Sequence, residues 1–141
     1  MAANVLMIVK TAQRRYAIRR DDLLDVKMAQ AGGMFQVEDS SDRPYLGFEL
    51  GPLLDPADRS SLKRRRALIV PLRRRYIALM VDYIETFLEQ ADSSPLPALL
   101  RERLIQPWAI GALILEDDLV VQLDLRAVAR SALLGYSGRN Y

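Results

Sequence analysis

The sequence predicts an all-β protein with short helices, built from two small and related β-units. Short apolar runs alternate with clusters of turn-forming residues along most of the chain, which is typical of short strands joined by tight connections. Residues 14–25 are partly repeated 60 positions later, which indicates two related units. A helical spacing of apolar residues is clear near the C-terminal end, from Leu125 to Leu133.

The composition is that of one folded domain. The chain has 141 residues, of which 50% are hydrophobic and 27% charged, a balance typical of a globular domain with a substantial core. We therefore expect one domain over residues 1–141, with approximate subdomains at 1–58, which includes a chain crossover, and at 59–141.

The apolar segments are too short to cross a membrane. The longest run free of charge, Leu104 to Leu115, contains Pro107 and is shorter than the roughly 20 residues that a membrane helix needs. The apolar start, Met1 to Val9, lacks the basic residues that open a signal peptide. We expect a cytoplasmic protein without direct membrane insertion.

The residue types that are missing exclude many kinds of chemistry. The chain has no cysteine and no histidine, so disulfides, thiolate or imidazole metal sites, cysteine nucleophiles, histidine-based triads and phospho-accepting histidines are excluded. Two carboxylate pairs remain, Asp21-Asp22 and Asp117-Asp118. Adjacent side chains on a strand point to opposite faces, so these pairs fit turns better than a catalytic site. We expect no enzyme activity, no cofactor and no bound metal.

The first half of the chain predicts a β-hairpin followed by three more strands. The polar stretch Thr11–Arg14 forms the turn of the hairpin. Asp21–Asp25 fits either one helical turn or the bent start of a strand, and Gly51-Pro52 ends the last strand of this half. The predicted strands are Val5–Lys10, Tyr16–Ile18, Val26–Met28, Met34–Val37 and Tyr45–Leu50.

The second half opens with a basic loop and predicts five further strands. A turn near Arg73 separates the first two strands, Ala91–Pro97 is a loop, and Leu96–Leu104 is a short helix. The predicted strands are Ala67–Val70, Tyr76–Val81, Tyr83–Leu88, Pro107–Glu116 and Leu119–Leu123.

The terminal helix is predicted by one apolar stripe. Asp124 stands where a side chain can cap the first turn, and the helix is expected to cover the end of a small barrel. The stripe consists of residues spaced by three or four positions: Leu125, Val128, Ala129, Ala132 and Leu133.

The internal repeat predicts that two hairpins share one architecture. Two units of this size would be unstable alone and would pack on each other to bury a common apolar face. At an offset of 60, Arg14-Arg15-Tyr16 matches Arg74-Arg75-Tyr76, and Asp22, Leu24 and Asp25 match Asp82, Ile84 and Glu85; the upstream triplets Met7–Val9 and Leu68–Val70 align only after a shift of one residue.

Positive charge is concentrated in one stretch. Arg59 to Arg75 holds eight basic residues and no acid, so the rest of a chain with net charge +2 carries −6. Such a stretch could bind nucleic-acid phosphates. No aromatic residue is interleaved to stack a base, so a solvated loop and strand face is the preferred interpretation and nucleic-acid binding the alternative.

Three segments resemble the CheW-like domain family. Tyr16 to Val26 resembles the stretch in which a hairpin carrying "YALP" runs into an acidic, valine-rich strand. Val81 to Ile84 resembles the family's "VDxV" signature, and Gly111 to Asp124 resembles its closing hairpin, "GxAxLxDGxxxxxLD". The resemblance implies two intertwined SH3-like five-stranded β-barrels with a C-terminal helix.

Two family features are missing. The "NLRG" motif should fall within Gly33 to Glu38, where the chain reads GMFQVE without the asparagine and the arginine. Because that arginine lies in a loop implicated in kinase and receptor coupling, its absence puts the usual partners in question. The turn glycine of the closing hairpin is replaced by Asp118, which tolerates left-handed geometry less well.

The resemblance implies a non-catalytic adaptor that couples a chemoreceptor or related sensor to a CheA-type histidine kinase. Its partners would be the kinase regulatory domain, the receptor tip, or both. By position, Leu23 and Asp25 match family residues in the groove between the barrels. Simple packing of Leu23 and a solvated strand edge for Asp25 are the competing interpretations. The alternative function is a small-barrel nucleic-acid-binding protein that uses Arg59 to Arg75.

Overall fold

A computed structural model describes residues 5–30, 36–37, 45–61, 64–73, 75–89 and 108–139. These residues form ten strands, a 3-10 turn at Arg20–Asp22 and two α-helices. The helices are α1 (Leu50–Leu54) and α2 (Leu125–Arg139). The strands are β1 (Val5–Lys10), β2 (Arg15–Arg19), β3 (Asp25–Gln30), β4 (Gln36–Val37), β5 (Tyr45–Glu49), β6 (Arg64–Pro71), β7 (Tyr76–Val81), β8 (Tyr83–Glu89), β9 (Ala109–Leu115) and β10 (Asp118–Leu123).

The strands form two five-stranded sheets, and the chain passes between them twice. One sheet has the order β8-β1-β2-β10-β9 and the other β4-β3-β6-β7-β5. The chain starts in the first sheet, enters the second at β3 and returns at β8. These sheets are the two intertwined SH3-like barrels that the sequence predicts, so the all-β fold class is confirmed. Both sheets take strands from either side of residue 58, and the subdivision there stays a prediction.

Three strands of each barrel repeat in a register of 61 positions: β1, β2 and β3 correspond to β6, β7 and β8. The turn after β1 is closed by a hydrogen bond from Thr11 N to Arg14 O, and the turn after β6 by one from Leu72 N to Arg75 O, both 2.9 Å long. The parallel pair of β10 with β2 also has its counterpart in the pair of β5 with β7. The repeat is therefore real.

The predicted offset of 60 is wrong by one residue. It aligns Tyr16 with Tyr76, whereas Tyr16 lies in the shared core at the place that Ile77 takes in the other barrel. The sequence match of Arg14-Arg15-Tyr16 with Arg74-Arg75-Tyr76 is thus a similarity of composition, because these residues are not structurally equivalent. The upstream triplets, which align only after a shift of one residue, follow the offset of 61 that the structure shows.

The core has three parts that follow from this repeat. Ile8 and Ala17 pack in a cluster confined to the first barrel, and their counterparts Ile69 and Ala78 do the same in the second. The opposite faces of these strands meet in one core shared by both barrels. It contains four residues of the first hairpin, Met7, Val9, Tyr16 and Ile18, and their four counterparts, Leu68, Val70, Ile77 and Leu79.

A helix follows the last strand of each repeat and caps the shared core. The first residue of each helix, Leu50 in α1 and Leu125 in α2, has no exposed surface. The Asp124 side chain accepts a hydrogen bond of 3.2 Å from the Ala127 backbone, as the predicted cap requires. The terminal helix is confirmed. Helix α1 was not expected, because Gly51-Pro52 was taken only as a strand end, yet proline is tolerated in a first helical turn.

Other local predictions differ in detail. The turn at Arg20–Asp22 decides the open question at Asp21–Asp25 in favour of a helical turn. The strand predicted to reach Leu50 ends one residue earlier, and Arg64 to Arg66 lie in β6 rather than in a loop. The loop at 91–97, the helix at 96–104 and the first two residues of the strand at 34–37 lie outside the described residues.

A polar clamp joins the β1–β2 turn to the segment after α1. The carboxylate of Asp58, only 1% exposed, accepts hydrogen bonds from the Thr11 hydroxyl and from the Gln13 backbone. The neighbouring Asp55 carboxylate accepts from the Ala57 backbone at 3.0 Å and pairs with Arg14 at 3.1 Å. These bonds tie the turn of one barrel to the helix that follows the other.

The clamp makes part of the stability pH-dependent. The Ala57 backbone, followed by Arg14, holds the pKa of Asp55 below its usual 3.8. A lowered folded-state pKa stabilises the fold above the unfolded pKa, and this contribution is lost as the pH falls through the folded pKa. Asp55→Asn should therefore lower the free energy of unfolding near neutral pH, and the difference from wild type should close as the pH falls below the unfolded-state pKa and through the folded-state pKa. Urea unfolding across this range checks it; a difference that stays constant with pH would contradict it.

The two helix leucines test the shared core. Leu50→Ala and Leu125→Ala should each lower the free energy of unfolding by about 2 to 5 kcal/mol, because each leaves a cavity in the core. The control is Leu134→Ala, since Leu134 is 73% exposed and its truncation should cost less than about 0.5 kcal/mol. Thermal and urea melts of the three variants give the comparison. Equal stability of all three would disprove the capping role.

Candidate functional site

A groove of about 490 Å³ lies between the barrels, beside the crossover from β2 to β3. Each barrel contributes one side chain from equivalent positions, Val26 in one and Phe87 in the other. The positions are equivalent because Val26 pairs with Leu68 and Phe87 pairs with Met7, and Leu68 is the counterpart of Met7. The lining residues are Met7, Arg20, Asp21, Leu23, Leu24, Asp25, Val26 and Phe87. Both residues predicted for partner binding, Leu23 and Asp25, are among them.

The groove exists because the two crossovers follow different paths. The β7–β8 crossover is short: Val81 ends a strand of one sheet, Tyr83 begins a strand of the other, and Asp82 N between them donates a 2.9 Å hydrogen bond to Lys10 O. In the β2–β3 crossover, residues 20–24 leave the first sheet as a 3-10 turn and join the second where Leu24 N donates to Ile69 O at 2.8 Å. This longer path opens the space.

Leu23 serves packing as well as the groove. It is half-buried and packs against the shared core, as does Ile84, its counterpart in the other repeat. The packing interpretation of Leu23 therefore has direct support. The next residue, Leu24, is 55% exposed and presents its side chain to the groove instead.

Asp25 lies at the rim with its carboxylate 53% exposed. One carboxylate oxygen accepts a 2.7 Å hydrogen bond from the Val26 backbone, and the other lies 3.3 Å from the Lys27 ammonium. These local contacts orient the carboxylate without burying it. A role at the rim of an interface fits this geometry, and partner binding by Asp25 stays a prediction.

Two exposed apolar residues of the groove, Leu24 and Phe87, are not predicted by the sequence reasoning. They are 55% and 54% exposed. For Phe87 a signal existed in the alternation along β8, which exposes every second residue from Tyr83 to Glu89. For Leu24 no periodic signal was available, because a single 3-10 turn decides which of two adjacent leucines turns inward.

The 3-10 turn beside the groove carries a partly buried carboxyl. Burial raises the pKa of Asp22 above its usual value, while Arg19 and Arg126 oppose the shift.

The basic stretch divides into structural and exposed parts. Arg65 is only 7% exposed, pairs with Glu49 and donates to the carbonyl of Ser60 at 3.3 Å. The expectation of a wholly solvated basic face is therefore wrong for Arg65, whose guanidinium belongs to a largely buried ion pair. Arg66 and Arg73 are exposed.

A second cavity, of about 620 Å³, lies at the other end of the first barrel. Arg15 is central to it and is surrounded by carboxylates, with Glu85 at 3.4 Å, Glu116 at 3.8 Å and Asp118 at 2.5 Å. The guanidinium and the carboxylates therefore satisfy one another. The left-handed residues of the nearby turn are Glu116 (φ 51°) and Asp117 (φ 66°), so the position assigned to a turn glycine is not Asp118, which begins β10.

The carboxylate pairs occupy turns, as expected. Asp21-Asp22 lies in the 3-10 turn, and Asp117-Asp118 spans the end of the β9–β10 turn. In the part of the chain that the structure describes, no group of three acidic residues is arranged to hold a metal ion. None of the helices described is long and apolar enough to cross a membrane.

Comparison with known proteins places this architecture among CheW-like folds. The protein is structurally similar to the CheW scaffolding protein of Thermoanaerobacter tengcongensis, with a TM-score of 0.63 over 89% of this chain and 86% of that one. The two sequences are 13% identical over this match. No protein-family model and no curated protein sequence matches the chain.

Alanine substitutions of Leu23 and Leu24 should have different effects on stability, because only Leu23 packs on the core. Leu23→Ala should lower the free energy of unfolding by about 1 to 2 kcal/mol, because a half-buried side chain is removed from the core. Leu24→Ala should change it by less than about 0.5 kcal/mol. Thermal melts and urea titrations measure both. A larger loss for Leu24→Ala would mean that the assignment of the inward side chain is wrong.

Proposed function

We propose that the protein is a non-catalytic adaptor that docks a signalling partner in the groove between its barrels. The observation that carries the proposal is the groove itself, with the exposed apolar side chains of Leu24 and Phe87 at its edges. Large apolar side chains that border a cavity lose water when a partner covers them, and such residues dominate the energy of interfaces. The partner would be the regulatory domain of a CheA-type kinase, a chemoreceptor tip, or both.

The CheW-like fold supports this proposal, since the solved structure that the chain matches is a scaffolding protein. A fold alone does not define an activity, so the site has to carry the argument. Leu23 fixes the wall of the groove by packing on the core, Leu24 and Phe87 supply apolar contact, and Asp25 supplies a charged rim. This division of roles is typical of a docking surface.

The chain lacks the asparagine and arginine of the "NLRG" motif. We propose that docking is therefore weak or directed to a specialised partner, and that the groove supplies most of the affinity. A chemoreceptor tip and its kinase lie in the cytoplasm, which is where we place the adaptor.

Nucleic-acid binding is less well supported. One arginine at the centre of the basic stretch, Arg65, is held by Glu49 within the fold, which removes its charge from any phosphate surface. Exposed arginines such as Arg66 and Arg73 remain, but no aromatic residue of that stretch accompanies them.

Charge reversal at the rim tests the proposal. Asp25→Arg should weaken binding about fivefold, because a carboxylate at an interface rim contributes electrostatic complementarity, and should leave the melting temperature nearly unchanged. Titration calorimetry against the purified kinase regulatory domain and the receptor tip from the same genome measures the affinity. Glu116→Arg, the same change at an exposed site outside the groove, is the matched control.

Two results would contradict the adaptor proposal. One is that neither the kinase domain nor the receptor tip binds the wild-type protein. The other is that Asp25→Arg, Leu24→Ala and Phe87→Ala all bind as tightly as wild type, which would place the contact elsewhere on the fold.

A further inference from the structure

We infer that the segment which docks in the groove carries an arginine or lysine beside its apolar anchor, and that Phe87 with Glu89 recognises that basic side chain. This inference rests on the proposed function, because it assumes that the groove is the docking site. It specifies the chemistry of the partner, which the CheW-like fold does not.

The recognition surface is the outward face of β8. Residues along this strand are alternately exposed and half-buried, so Glu85, Phe87 and Glu89 point to the same side. Side chains two positions apart on a strand are separated by about 7 Å. The aromatic ring of Phe87, 54% exposed, is thus flanked by a carboxylate on either side.

An exposed aromatic ring beside an exposed carboxylate suits a cation. The face of the ring attracts a positive charge, and the Glu89 carboxylate can accept its hydrogen bonds. Arginine fits this arrangement best, because its planar guanidinium can stack on the ring while one edge reaches Glu89.

The charges around the groove leave a negative excess at this position. Asp25 is paired with Lys27, and Arg20 and Asp21 in the lining are of opposite sign. These four charges cancel. Glu85 is held by Arg15 in the neighbouring cavity, and Glu89, exposed at the end of β8, adds the negative charge that a basic partner would neutralise.

The apolar side chain of the partner would enter the groove next to Phe87. Leu24, 55% exposed, and Phe87 line the groove from different barrels, with Met7 between them in the lining. An aliphatic side chain that enters here would bring its neighbours over the outer face of β8. Basic and apolar residues on one face of a helix are the pattern that such a groove accepts.

Three synthetic amphipathic peptides test this chemistry directly. They share one leucine stripe and differ only in the flanking residues, which are all arginine, all glutamine or all glutamate. Fluorescence anisotropy should show that the full-length protein binds the arginine peptide about tenfold more tightly than the glutamate peptide. Raising the salt concentration should reduce this preference.

Variants assign the preference to named residues. Glu89→Arg should abolish the preference for the arginine peptide, whereas Asp117→Arg, a charge change of the same size at an exposed position of the β9–β10 turn, should retain it. Phe87→Leu should reduce the affinity for the arginine peptide and leave the glutamine peptide nearly unaffected, because an apolar contact remains while the ring is lost. Leu24→Ala should weaken all three peptides.

The inference is overturned if the arginine peptide does not bind, if the glutamate peptide binds as well, or if Glu89→Arg changes nothing. It is also overturned if sedimentation shows wild-type dimers that Leu24→Ala dissociates, because the groove would then hold a second copy of the chain. Arginine preference without binding to the kinase domain or receptor tip would keep this inference and reject the proposed function.

Discussion

The fold depends on one apolar core that two similar hairpins share. Each hairpin buries both of its faces, one inside its own barrel and the other against its partner. Neither barrel could exclude water from both faces alone, which explains why the chain crosses between them twice and why a helix must seal each end. Burial on both faces also explains the continuous apolar runs Val5–Val9 and Ile77–Val81, since alternation appears only where one face meets water.

The groove is a local exception to this repeat. The β7–β8 crossover leaves only Asp82 between its strands, whereas the β2–β3 crossover takes residues 20–24 through a 3-10 turn. Leu23 still reaches the place that Ile84 occupies, so the core is not interrupted. The departure therefore costs ladder hydrogen bonds but no core packing, and it leaves Leu24 exposed beside Phe87 of the other barrel. The two repeats therefore differ at this surface, because only the β2–β3 crossover forms a groove.

The sequence predicts those features that depend on neighbours along the chain. Strands β7 and β8 and helix α2 were found from apolar runs and helical spacing, and the hairpin repeat from local similarity. Features that depend on distant contacts were missed or misplaced: the pairing of Arg65 with Glu49, the outward turn of Leu24, and the register of the repeat. A run of arginines gives no sign that one member pairs across a strand. Likewise, Leu23-Leu24 gives no sign of which leucine faces inward.

Two sequences that are only 13% identical can share a fold without sharing a binding site, because core and surface positions tolerate substitution differently. Core positions such as Leu68, Val70 and Leu79 require an apolar side chain of roughly suitable volume, and many sequences meet that requirement. A groove edge has no such tolerance, because a leucine, an aromatic ring or a carboxylate there each selects a different partner surface. The outward face of β8, where Phe87 lies between Glu85 and Glu89, is exposed and belongs to none of the three core clusters. What that face binds is therefore decided by its own side chains rather than by the barrels that support it.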